Sequence, residues 1–145
     1  MENLIKEDLE SIGIIGEINE IKQVYCSFEP ATIEEKKMLF NAVNSTPEYL
    51  KDHVNEVIVI NHIYAEQVNI VDENSGEIIP IPRIVIIDNN GIGYGCASFG
   101  IFNSIKKLIG IMGAPSPNNP YNVKIKQVNI RNKANYSALT FELVE

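Results

Sequence analysis

Residues 83–115 constrain the fold of this 145-residue chain more than any other stretch. Residues 83–88 form a β-branched run, Asn89-Asn90-Gly91 is typical of a tight turn, and residues 92–97 are extended again. Asn and Gly tolerate the positive φ angles that such turns require. The pattern therefore predicts a β-hairpin.

A helix is predicted directly after this hairpin. Ser98 stands at the N-cap position, and apolar residues recur behind it at spacings of three and four as far as Met112. Gly113 can adopt the left-handed conformation that ends a helix, and Pro115 prevents its continuation. A strand pair that leads into an amphipathic helix is thus the unit around which the rest must pack.

The first third of the chain is predicted to be largely helical. Residues 3–15 carry apolar residues on one helical face, while residues 17–28 fit either a helix or an extended segment. Thr32 and Glu35 have the spacing of a capping box, which predicts a helix over residues 33–43.

From residue 57 onward the sequence pattern predicts β-strands. Residues 57–71 are extended with an interruption at Asn61-His62, and residues 77–88 form the next strand. Pro80 and Pro82 cannot donate to a ladder, so the first half of that strand should lie at an edge or a bulge. After the helix, residues 123–131 and the segment beyond Asn135 predict two more strands, with a bulge at Gln127.

The resulting order of three strands, a helix and two strands is that of the OB-fold, a small Greek-key barrel. A five-stranded sheet packed on the same helix in another topology would give the same order. We therefore predict a mainly β (α+β) fold, with a five-stranded OB-like barrel over residues 53–145 and one helix between strands three and four. Residues 1–52 are predicted to be an acidic, largely helical N-terminal extension packed on this core.

The composition excludes several other classes of protein. The chain is 45% hydrophobic and 21% charged, which is typical of a globular domain. No apolar run reaches the roughly 20 residues of a transmembrane helix, and the N-terminus does not resemble a secretory signal. Cys26 and Cys96 could form a disulfide, but two reduced thiols are the expected state in a cytosolic protein. We accordingly expect a cytoplasmic location.

Charge is distributed unevenly along the chain. The net charge is −7, and residues 1–56 alone carry 12 acidic and 5 basic residues. Residues 78–141 carry 7 basic residues against a single acid, Asp88. Such asymmetry indicates an anionic partner for the basic half.

Signatures of catalysis or of a bound cofactor are largely missing from the sequence. The glycines at 91, 93 and 95 precede a helix, but Cys96 stands where a dinucleotide fingerprint needs glycine, and no Gly-Lys-Ser/Thr follows. The favoured interpretation is that a neighbouring backbone or a ligand comes close to Gly93 and Gly95. His53 and His62 have no acid-rich or cysteine-rich cluster beside them. We therefore predict no enzyme activity, no metal site and no cofactor.

A basic surface that carries aromatic residues remains as the candidate site. Cationic grooves with aromatic rings are what single-strand nucleic-acid binding requires, although ordinary solvated lysines and rim tyrosines would give the same composition. The predicted nucleic-acid-binding residues lie on the central hairpin and around the last two strands: Arg83, Tyr94, Lys124, Lys126, Arg131, Lys133 and Tyr136. Tyr94 is the strongest candidate for a stacking platform, because its flanking glycines should leave one ring face clear.

Several runs resemble a family of small bacteriophage proteins, the single-stranded DNA-binding proteins of the replication module. They are GEIIPIPRIVIID at 76–88, GIGY at 91–94, SFGIFNSI at 98–105, GAP at 113–115, VKIKQ at 123–127 and LTFEL at 139–143. The resemblance covers about residues 28–144 and implies an OB-type fold that binds single-stranded DNA without catalysis. It also implies a location in the cytoplasm of the host cell.

The sequence leaves two hypotheses about the function, which assign the protein to different classes. In the first, the chain is a non-enzymatic, sequence-tolerant single-stranded DNA-binding protein that protects DNA during phage replication or recombination. Its acidic N-terminal half would be the surface for replication or recombination proteins, and formation of a homo-oligomer is left open. In the alternative, it is a structural or protein-interaction β domain, such as a virion or assembly component, with no nucleic-acid binding.

Overall fold

A computed structural model of the chain describes residues 24–129 and 137–145. Within these ranges the protein is mainly β, with a curled mixed sheet that forms a half-barrel. The strands are β1 (Tyr25–Cys26), β2 (Glu48–Tyr49), β3 (Val57–Val71), β4 (Ile78–Asp88), β5 (Gly93–Cys96), β6 (Tyr121–Asn129) and β7 (Ser137–Leu143). The helices are α1 (Ile33–Asn44), α2 (Phe99–Met112) and a short 3₁₀ helix (Leu50–His53).

The order of the strands in the sheet is β2-β5-β4-β3-β6-β7, with β1 paired to the other part of β3. Only the β2–β5 pairing is parallel among the described strands. The predicted mainly β class is confirmed, and the order is compatible with an OB-like architecture. Strands β3 to β7 lie within residues 53–145, the range predicted for the barrel, and β1 and β2 add two short strands to the sheet from the region before residue 52.

The central hairpin and its helix are confirmed. The Asp88 carboxylate accepts hydrogen bonds from the backbone N–H groups of Asn90 (2.8 Å) and Ile92 (3.0 Å), which fixes the β4–β5 turn. The Ser98 hydroxyl oxygen accepts a hydrogen bond from the Ile101 N–H at 3.2 Å and caps α2. Gly113 ends the helix with a φ of +85°.

The other local predictions have mixed outcomes. Thr32 and Glu35 form the predicted capping box, with both hydrogen bonds at 3.1 Å. The register of β3 against β4 shifts between Ile60 and His62, as the interruption in the sequence indicated. The bulge predicted at Gln127 is wrong, because β6 pairs with β7 in unbroken register through that residue. The helix predicted over residues 3–15 lies outside the described residues.

The sheet has two faces, which we call the inner face, covered by α2, and the outer face, partly covered by α1. Along β4, Ile84 and Ile86 pack on the inner face, whereas Val85 and Ile87 pack on the outer face. All four side chains are fully buried. Burial on both faces explains why this strand reads as a continuous apolar run in the sequence.

Helix α2 closes the inner face and reaches β7. Ile101 and Ile105 point into the main core, and the Ser104 hydroxyl lies 2.8 Å from that of Thr140. Gly100 lies so close to β7 that a Cβ atom there would overlap the carbonyl oxygen of Leu139. The helix therefore packs tightly against the last strand.

Beyond the main sheet, β3 and β4 continue as a two-stranded arm. Along β4, only residues 84–87 pair with β5. The pairing of β3 with β4 continues beyond them to Val71 and Ile78. Pro80 and Pro82 lie in this arm, so the predicted edge position is confirmed. No helix within the described ranges is long and apolar enough to span a membrane.

Candidate nucleic-acid interface

Lys124 and Lys126 lie side by side on the outer face of β6. They alternate with Val123 and Ile125, which are fully buried on the inner face. Across the ladders Lys124 is opposite Val57 and Glu142, and Lys126 is opposite Thr140, which lies on the edge strand β7 and also contacts Ser104 of α2. Neither ammonium group belongs to any of the three ion pairs found within the described ranges. The structure thus brings together the two lysines that the sequence predicted as neighbours.

Arg83 lies on the outer face of β4 and connects the sheet to the end of α1. Its guanidinium group donates to the Val43 carbonyl oxygen at 2.7 Å, the Thr46 hydroxyl at 2.8 Å and the Glu66 carboxylate at 3.1 Å. The side chain is 28% exposed. Arg83 therefore has a structural role, and part of its surface remains open to solvent.

Tyr94 lies on the inner face and is engaged at both ends of its side chain. Its hydroxyl donates to the Asp88 carboxylate at 3.1 Å, and its ring meets the ring of His53 edge-on at 5.0 Å. Burial, followed by the hydrogen bond to Asp88, raises the pKa of Tyr94 to about 12. Stacking of a base on Tyr94 stays a prediction.

The two glycines beside Tyr94 make room for another part of the protein. A Cβ atom at Gly93 would lie 2.8 Å from the Ala42 carbonyl oxygen, and one at Gly95 would lie 3.0 Å from the Thr46 side chain. A close neighbour is therefore the reason for both glycines, as the sequence indicated. The space they provide is on the outer face, opposite the ring of Tyr94.

The remaining predicted contacts, Arg131, Lys133 and Tyr136, lie outside the described residues. The cysteines Cys26 and Cys96 are both free, and burial raises the pKa of the Cys96 thiol to about 11. No group of three His, Cys, Asp or Glu side chains suited to a metal ion occurs in residues 24–129 and 137–145.

The two histidines lie on opposite faces of the sheet. The ring nitrogens of His53 lie 2.8 Å from the Glu48 carboxylate and 3.0 Å from that of Glu56. The hydrogen bond to Glu56 has the larger effect on the pKa of His53, and both hydrogen bonds raise it. His62 is buried and stacks on Phe28 with ring centroids 3.7 Å apart. Burial lowers the pKa of His62, and its Nδ1 atom has no hydrogen-bond partner among the described residues.

A groove of about 790 Å³ opens beside Arg83, and we call it the outer groove. It is lined by residues 44–46, Tyr49, Lys51, Val68, Arg83, residues 95–98 and Leu139. Tyr49 is 57% exposed, and the Lys51 ammonium group lies 5.7 Å from the centre of its ring. The sequence prediction missed both residues, because they were assigned to the acidic extension. A tyrosine two positions from a lysine is too common a signal to identify a site.

These features define a small β domain with a groove that carries an exposed aromatic ring and with two lysines on one face that form no ion pair within residues 24–129 and 137–145. The chain matches the model of the family described as phage single-stranded DNA-binding protein over residues 18–143. Since the match covers most of the chain, the protein belongs to this family, and the resemblance found in the sequence is confirmed. No curated protein and no solved structure matches the chain significantly.

Proposed function

We propose that this protein is a non-enzymatic single-stranded DNA-binding protein that protects DNA with little sequence preference during phage replication or recombination. The observation that carries the proposal is the family match over residues 18–143. Membership of this family disfavours the alternative of an interaction domain with no nucleic-acid binding.

The charges of the described residues support local contacts with phosphates. The chain as a whole carries −7, so its affinity for a polyanion has to come from particular surfaces. Lys124 and Lys126 offer such a surface, because both are free of ion pairs among the described residues. In the proposal Arg83, Arg131, Lys133 and Tyr136 contribute further contacts with the strand, and a contact with Tyr94 would have to come from the inner face.

The proposal includes binding without a chemical step, since the sequence carries no recognisable nucleophile motif or acid–base pair. It also includes a place of action in the cytoplasm of the host cell. The acidic N-terminal half, with 12 acidic residues before position 57, is the proposed surface for replication or recombination proteins. The division into an extension over residues 1–52 and a core over residues 53–145 belongs to the same proposal.

A fluorescence titration with labelled oligo-dT and a matched duplex tests the proposal. We expect oligo-dT to bind much more tightly than the duplex, because aromatic platforms need unstacked bases. The logarithm of the affinity should fall linearly with the logarithm of salt concentration, at about −0.7 per contacted phosphate. Equal binding of both nucleic acids, or no binding of either, would contradict the proposal.

A further inference from the structure

We propose that the outer groove is a binding site for single-stranded DNA, in which a base stacks on Tyr49 and phosphates lie at Lys51 and Arg83. This inference rests on the proposed function and extends it to residues outside the predicted set. Three features of the groove carry it: the exposure of the ring, the charge of the lining and the size of the space.

The exposure of Tyr49 follows from its place in the sheet. In the β2–β5 pairing Glu48 is opposite Tyr94, and Tyr49 is opposite Gly95. Paired residues point to the same face, so Glu48 and Tyr94 share the inner face with His53, while Tyr49 shares the outer face with Gly95. Gly95 has no side chain to cover the ring. Tyr49 is consequently 57% exposed at the side of an open groove.

The charge of the outer groove differs from that of the chain around it. Residues 1–56 carry 12 acids and 5 bases, but the described residues that line the groove include two cations and no carboxylate. Lys51 is in none of the ion pairs within the described ranges. Such a lining favours an anionic ligand in an otherwise acidic region.

Arg83 supplies donors that are already held in place. Its three hydrogen bonds, to Val43, Thr46 and Glu66, leave two of its five N–H groups without a partner among the described residues. Because Glu66 pairs with its charge, Arg83 should contribute position and hydrogen bonds more than net attraction. Lys51 would then provide most of the salt-dependent attraction.

The size and lining of the groove fit a strand without a fixed sequence. Its volume of about 790 Å³ is within the range of ligand-binding clefts. Stacking on an aromatic ring accepts every base, since each base has a π face. A smaller groove of about 260 Å³ on the inner face, lined by Tyr25, Phe99 and Phe102, is the main competitor. No lysine or arginine is among the described residues that line it, so it suits a polyanion less well.

The absence of tryptophan from the chain allows a direct test. A Tyr49→Trp variant carries a single tryptophan in the outer groove, and Phe99→Trp places one at the inner groove. Phe40→Trp, at a position that is 63% exposed on α1, is the matched control. Each variant is titrated with oligo-dT, and tryptophan emission is followed alongside binding of a labelled strand.

We expect saturable quenching for Tyr49→Trp and unchanged emission for Phe40→Trp and Phe99→Trp. Strand binding without quenching at position 49, or quenching at position 99 instead, would overturn this inference and leave the proposed function standing. Failure of the wild-type protein to bind oligo-dT would overturn both.

Affinity measurements give a second, independent readout. Tyr49→Ala should raise the Kd for oligo-dT about 5- to 150-fold, the range for one lost stacking contact, whereas Tyr49→Phe should keep it near the wild-type value. Lys51→Ala should reduce the steepness of the plot of log affinity against log salt concentration by about 0.7. If Tyr49→Ala binds like the wild type while its melting temperature is unchanged, the outer groove is not part of the interface.

Discussion

Tyr49 and Tyr94 lie on neighbouring strands at one edge of the sheet, yet they meet opposite environments. The Tyr94 side chain points to the inner face, where Asp88 holds its hydroxyl and His53 meets its ring. The Tyr49 side chain points to the outer face beside Gly95 and is 57% exposed. The face of the strand, more than the type of residue, therefore decides whether an aromatic ring supports the core or is open to a ligand.

The same contrast extends to β6. Ile125 is fully buried under α2, while the neighbouring Lys124 and Lys126 point to the outer face. Helix α2 closes the inner face, and α1 covers only part of the outer one. The uncovered part of the outer face is where our account places the DNA.

The largest expected effect is a difference in stability between substitutions on the two faces of β6. Ile125→Ala should lower the free energy of unfolding by about 2–5 kcal/mol, because it leaves a cavity in the main core. Lys126→Ala, one position away, should change it by no more than about 0.5 kcal/mol. Chemical denaturation of both variants measures the difference, and similar costs would mean that the two faces are not distinct here.

A smaller effect should separate the two tyrosines. Tyr94→Phe removes the hydrogen bond to Asp88, a residue that is only 7% exposed, and should cost about 1–3 kcal/mol of stability. Tyr49→Phe should leave the stability unchanged, since no hydrogen bond of the Tyr49 hydroxyl is found within the described ranges. Thermal unfolding of the two variants tests this, and equal melting temperatures would contradict the assigned environments.

The two histidines should give opposite pH dependences on either side of pH 6.5, the ordinary pKa of the side chain. The raised pKa of His53 means that its stabilisation is complete below pH 6.5 and is lost as the pH rises through the folded-state pKa. The lowered pKa of His62 means that stability is lost as the pH falls below 6.5 towards its folded-state pKa.

Unfolding curves between about pH 5 and 8 would resolve these contributions, since the reference pKa of Glu and Asp lies below that window. His53→Asn should make the free energy of unfolding less dependent on pH above pH 6.5. His62→Phe should make it less dependent on pH below pH 6.5. A wild-type profile that neither variant changes would show that neither histidine has a shifted pKa.

Local signals explain how much of the fold was predictable. The hairpin turn at Asp88–Ile92, the Ser98 cap and the Thr32–Glu35 capping box each depend on hydrogen bonds between residues at most four apart. Such contacts are encoded in short stretches, so their positions could be read directly. Lys124 and Lys126 could be paired for the same reason, because alternation along one strand places them on one face.

Long-range pairing explains what could not be predicted. Strands β1 and β2 are two residues long and exist only because they pair with β3 and β5, far along the chain. The environment of Tyr49 depends on the same β2–β5 pairing, so no local pattern marks it. For Tyr94, the flanking glycines do not border the ring, because alternation along β5 places them on the other face, where Ala42 and Thr46 occupy the space beside them.

The salt dependence of oligo-dT binding tests the central claim, that the uncovered outer face holds the strand, most directly. The double variant Lys124→Ala/Lys126→Ala should bind all sequences more weakly, and its slope of log affinity against log salt should be flatter by up to about 1.4 than that of the wild type. Its stability should match that of the wild type, because both lysines point away from the core. If the double variant keeps the wild-type affinity and slope, the lysines of β6 do not contact DNA and the account of the outer face is contradicted.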